Sequence, residues 1–169
     1  MKILALACVS ALLACATAGA EPPPAGPTPA PAPSRKPPPP KGCVAKGTPE
    51  GEIDHGPIGT GKQASWTFKI YESGAWTYET KDADGKAGEP KRGCFAGEDL
   101  TAIKADVAVS WKVSPVGMHC MAMATTEDKV LVNGKQVFTE KMCNSQKLDD
   151  ASAKALADLN AKMKTATGG

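Results

Sequence analysis

The sequence predicts an α+β domain: a small antiparallel sheet of four to five strands, two helices on one face of it, and two disulfides. Three observations carry that reading. Short runs alternating apolar and polar residues come in pairs around turn signals, 65–71 with 75–79 about Ser73-Gly74, and 130–132 with 136–139 about Asn133-Gly134. Each pair is followed by a cysteine and then by apolar residues at helical spacing. Four cysteines, Cys43, Cys94, Cys120 and Cys143, fall within residues 42–169, an even count that reads as two bridges in an exported domain.

The elements follow in chain order. Residues 42–64 show no periodic pattern and read as irregular. Trp66, Phe68 and Ile70 share one face of a half-buried strand, and Ser73-Gly74 turns the chain into a second strand carrying Trp76 and Tyr78. Asp82-Ala83-Asp84-Gly85 opens a polar loop that ends at Cys94. Glu98 and Asp99 then lead a helix, because Leu100, Ile103 and Val107 recur at i, i+3 and i+7 and acids in a first turn suit the helix dipole. Residues 118–124 read as extended, and Asn133-Gly134 is a strong hairpin signal. A last helix starts near Asp149, with Leu156, Leu159 and Met163 as its apolar stripe.

Four cysteines allow three connectivities. The favoured one joins Cys120 to Cys143 and Cys43 to Cys94. The first bridge closes a local loop of about two dozen residues, worth about 3 kcal/mol in the chain-entropy model. The second pins the 42–64 stretch to the body of the domain.

The N-terminus opens MKILALACVSALLACATAGA: one lysine, a mostly apolar run, then small residues, which is the layout of a secretory signal. The run is shorter than the roughly 20 apolar residues a spanning helix needs. Leu12-Leu13-Ala14-Cys15 resembles a bacterial lipobox, which implies cleavage after residue 14 and a diacylglycerol thioether on Cys15. Ala18-Gly19-Ala20 offers the other route, ordinary cleavage after residue 20 and a soluble periplasmic or secreted product. Residues 15–41 then read as a disordered tether, since 21–41 holds eleven prolines in twenty-one residues and little to bury. Fully extended as polyproline II, that stretch reaches about 65 Å. The expected address is the bacterial cell envelope, with the chain held to the membrane by lipid on Cys15. Ala16 after the cysteine resembles the outer-membrane sorting pattern of Gram-negative cells.

Residues 42–169 form one domain by length, with sixteen basic and seventeen acidic residues. No basic stripe stands ready to neutralise phosphates, so nucleic acid is not an expected partner. The expected partner is an extracytoplasmic protein or a cell-wall component, met through Trp76 and Tyr78 or through the segment holding Met121 and Met123.

Motifs for chemistry are few. GPIGTGKQ (56–63) comes one residue short of a phosphate loop, with Gln63 where a magnesium-binding hydroxyl belongs. Its flanks disagree with that role: polar GEIDH precedes it and the strand SWTFKIY follows, where a buried strand and a helix are required. It reads as a glycine turn, and no nucleotide or other cofactor is expected. In MHCMAM (118–123) the soft ligands suit Cu(I), yet alternation splits them between two faces and a bridged Cys120 has no thiolate, so no metal is assigned. Asp54-His55 lacks a nucleophile and an orienting group in its motif, and no catalytic residue is assigned. Glu72, Glu79, Asp82 and Asp84 lack calcium-loop spacing and read as a solvated rim.

From Cys94 to Cys143 the chain reads C-x5-L, then C, then V-L-V-N-G, then C. This resembles the bacterial subtilisin inhibitors, exported α+β domains with two disulfides. The resemblance implies an alternative function, a secreted protease inhibitor, with Cys120 anchoring an exposed segment and Met121 to Met123 near the scissile position.

Overall fold

The computed structural model describes residues 41–116, 124–141 and 146–168. Their order is β1 (Gly51–Pro57), β2 (Ser65–Ile70), β3 (Ala75–Lys81), β4 (Lys91–Cys94), α1 (Gly97–Val107), β5 (Val113–Pro115), β6 (Thr126–Val132), β7 (Lys135–Lys141), β8 (Gln146–Leu148) and α2 (Asp150–Thr167). The fold is α+β as expected. The sheet is larger than four or five strands: it has six, in the order β4-β3-β2-β1-β6-β7, every pair antiparallel, and β5 and β8 form a separate ribbon.

The main correction lies in the stretch expected to be irregular. Residues 51–57 form β1, the strand that joins the β1–β4 meander to the β6–β7 hairpin. Ile53 is opposite Phe68 on one side and Val130 on the other, and His55 is opposite Trp66 and Asp128. GEIDHGP has one large apolar residue, so its pattern is weak; backbone pairing along both edges supplies what side chains do not. Gly51 is needed where β1 passes under α1, since a Cβ there would lie 2.9 Å from Val107 Cγ2.

Alternate strand residues point to one side of the sheet, and that side carries the core. Ile53, Phe68, Ile70, Trp76, Val130 and Phe138 cluster with Ile103 and Val107 of α1, with Leu156, Leu159 and Met163 of α2, and with Phe95 and Leu148. Phe68 and Ile103 are wholly buried. Each such side chain contributes about 1.5–3 kcal/mol by leaving water. The expected α1 and α2 stripes are the residues that face this core.

Trp76, expected at a binding surface, belongs to this core with 7 % of its surface exposed. Its ring lies against Gly93, its cross-strand partner in β4. A Cβ on Gly93 would come within 2.4 Å of Trp76 Cζ2, so the indole occupies the space a β4 side chain would take. The second expected surface residue, Tyr78, is half-buried against the core edge.

Turns and caps follow the residue chemistry. Asn133 and Gly134 have φ of 51° and 74°, the left-handed pair a two-residue hairpin requires. Asp149 caps α2 by accepting from the Ser152 amide at 2.9 Å. Fully buried Ser152 in turn accepts from the Lys112 amide at 3.0 Å, which ties the start of α2 to the segment before β5. Asp82 Oδ1 accepts from the amides of Asp84 and Lys86, an Asx turn that bends the chain out of β3. The expected polar loop from there to Cys94 ends instead in β4, an edge strand.

Cys43 and Cys94 are disulfide-bonded, the one bridge among the described residues. Cys120 and Cys143 lie outside those residues, as do Met121, Met123, nearly all of the 118–124 stretch expected to be extended, Cys15 and the chain up to residue 40. Among the described residues no helix is long and apolar enough to cross a membrane.

Candidate functional site

The chemistry of the described residues collects at one end of the sheet, where β1 and β2 meet the loop that joins them. His55 falls on the same side as Ile53, two residues further along β1, beyond the large apolar positions. Its Nδ1 is 2.6 Å from Asp128 Oδ1, directly across the β1–β6 register. Its ring stacks on Trp66, its partner in β2, with centroids 5.6 Å apart and planes 11° from parallel. Trp66 meets Tyr78 of β3 at 6.0 Å. Asp128, His55, Trp66 and Tyr78 thus form a row across four adjacent strands.

The row is reachable from solvent: the His55 side chain is 31 % exposed and that of Asp128 41 %. Asp128 fixes the ring through Nδ1, and the Trp66 face fixes its plane. A histidine held this way presents its other nitrogen in a set direction, an arrangement suited to recognising a polar ligand group. The pairing differs from the Asp54-His55 dipeptide. Strand alternation sends Asp54 to the opposite side of the sheet, and the carboxylate that meets His55 lies 73 residues away. Asp128 is hidden in the sequence because the apolar run Val130–Val132 carries the strand signal and the polar start of β6 does not. Extending the alternation back through Asp128 to Thr126 places it on the same side as Val130.

The other side of the sheet carries charges. Glu52 and Asp54 of β1 sit beside Lys69 and Thr67 of β2, with Glu79 next along on β3 and Glu127 and Lys129 on β6. Lys69 lies 3.8 Å from Glu52, and Lys129 lies 2.8 Å from Glu127. Burial first, and the neighbouring Asp54 charge second, push the Glu52 carboxyl above its usual range against the pull of Lys69. Asp54 Oδ1 is buried without a hydrogen-bond partner among the described residues. No group of three or more histidine, cysteine or carboxylate side chains with metal-binding geometry occurs among them.

GPIGTGKQ links two antiparallel strands. Gly56 and Pro57 close β1, the Ile58 amide donates to the Thr125 carbonyl at 3.0 Å, and β2 begins at Ser65. A strand follows the loop, as its flanking sequence indicated. Lys62 and Gln63 face the Asp82–Gly85 turn across a shallow open groove.

Fold and site together define a class in general terms: a disulfide-clipped α+β domain with a histidine–carboxylate–aromatic row at the end of a six-stranded sheet. Comparisons with known protein families, curated proteins and solved structures returned no match.

Proposed function

We propose that this protein is a cell-envelope lipoprotein that works by binding. Lipid on Cys15 anchors it, residues 15–41 hold residues 42–169 away from the membrane, and the domain meets an extracytoplasmic protein or a cell-wall component without catalysing a reaction. In a Gram-negative cell the anchor is in the outer membrane. One observation carries the reading furthest. Two residues beyond the proline-rich stretch, the chain is covalently clipped to the sheet through Cys43–Cys94, which gives a displayed domain a firm base. The half-exposed row of His55, Asp128, Trp66 and Tyr78 is the surface assigned to the partner, in place of buried Trp76.

Two experiments test this. In the first, Cys15→Ser moves the protein from the membrane to the soluble fraction; unchanged partitioning defeats the anchor. In the second, the domain serves as bait in envelope extract, and Tyr78→Ala or His55→Ala abolishes capture of the partner. The alternative inhibitor function rests on the segment around Cys120, outside the described residues. Stoichiometric inhibition of a serine protease or metalloprotease by the purified protein would replace the binding-module reading with it.

A further inference from the structure

We infer that the Cys43–Cys94 disulfide is a load-sharing junction, which turns attachment of the domain through one backbone path into attachment through three. The inference rests on the tethered reading for its biological use. Load arriving along the chain from residue 41 has one path if the bond is absent: residues 44–50, then β1. That path is weak. Residues 44–48 are exposed, and the 44–50 segment is held by the Ser73 hydroxyl donating to the Val44 carbonyl, the Glu50 amide donating to Ile70, and the Asn133 amide donating to Glu50. Bonds arranged in series along a peeled segment break one at a time. The load then reaches Gly51, the end of the strand that holds the two halves of the sheet together.

The disulfide adds two exits. Cys94 ends β4, so one runs back through Gly93 to the β3 ladder. The other runs forward into Phe95, which is 8 % exposed. Its amide donates to the Gly74 carbonyl at 2.9 Å. Its ring packs on Phe68 and Trp76, with centroids 6.4 and 6.2 Å away. α1 begins two residues later. A pull on Cys43 therefore bears at once on an edge strand, a buried aromatic and the strap to β1, in parallel.

A disulfide also stabilises a domain by restricting its unfolded chain, whichever direction it is pulled. The test must separate that effect from load sharing. The full chain is held in magnetic tweezers in two geometries, from the N-terminus to the C-terminus and from a handle on Lys135 to the C-terminus. Wild type is compared with the Cys43→Ser/Cys94→Ser double variant. At a fixed force, the loss of the bond is expected to speed unfolding about tenfold more in the first geometry than in the second, a factor of the size that one net hydrogen bond supplies. Equal factors in the two geometries would overturn the junction and leave only the general stabilisation. If the variant does not refold, a Cys120→Ser/Cys143→Ser protein folded with the Cys43–Cys94 bond intact is reduced in place by a phosphine, so that no other bridge is broken. The disulfide gains two electrons and two protons, the phosphine takes oxygen from water, and the same two rates are compared. Unchanged partitioning of Cys15→Ser would remove the anchor without changing these rates, so the two claims fail separately.

Discussion

Gly93 lies directly against the indole of Trp76, its cross-strand partner, with no space for a side chain between them. The contact explains why an edge strand as short and polar as β4 stays on the sheet: the ring covers its backbone. Gly93→Ala is expected to cost about 1–3 kcal/mol by overpacking. Gly56→Ala is the control, because its nearest contact, Ser65 Cβ at 3.5 Å, is an ordinary one; its effect stays within about 0.5 kcal/mol. Urea midpoints of the two variants make the comparison, and equal losses would contradict it.

Ser152 tests the tie at the start of α2. Its hydroxyl is the acceptor for the Lys112 amide in a fully buried position. Ser152→Ala leaves that amide unpaired and should cost about 1–3 kcal/mol. Ser152→Thr, which keeps the oxygen, isolates the hydrogen bond from the packing if it loses less in the same denaturation assay.

The Glu52 carboxyl gives the stability a pH dependence of known sign. Its folded value is raised above 4.5 by burial and by Asp54. Between the unfolded and folded values the native state holds more protons, so this group's contribution falls as pH rises through that window. Glu52→Gln removes the penalty: the stability of the variant minus that of wild type should grow from pH 4 to pH 7 in urea unfolding. A constant difference would show that Glu52 ionises alike in both states. Asp149 acts the opposite way, since its bonds to Ser152 hold it below its usual range and its contribution is lost as pH falls.

The His55–Asp128 pair is assigned to recognition, and its stability effect should be small. Half-exposed pairs of this kind are worth about 0–1 kcal/mol. A double-mutant cycle with His55→Ala and Asp128→Asn is expected to give a coupling in that range, while partner capture is lost in each single variant. Coupling of several kcal/mol with capture intact would make the pair a structural one.

How much was legible in the sequence follows from where side-chain chemistry carries the structure. Phe68 and Ile70, the Asn133-Gly134 turn, the α1 and α2 stripes and the Asp149 cap were readable because periodicity and turn chemistry determine them locally. Cysteine number and context made bridging legible, while the choice of Cys43–Cys94 among three connectivities is supplied by the fold. β1 was hidden because its core-facing positions are Gly51, Ile53 and His55, and its place is fixed by backbone pairing with two strands far apart in sequence. β4 was hidden because Gly93 leaves its packing to Trp76, and the same contact turned an expected surface tryptophan into a core one. The row from Asp128 to Tyr78 needs the register of four strands, which no local pattern supplies.

The claim that this is a tethered, lipid-anchored domain is tested most directly by the mature N-terminus. Protein purified from whole cells and medium is digested, and its first peptide is analysed by mass spectrometry. The account predicts a peptide that begins at Cys15 and carries a diacylglycerol thioether on its sulfur. An unmodified peptide that begins at Glu21 would contradict it.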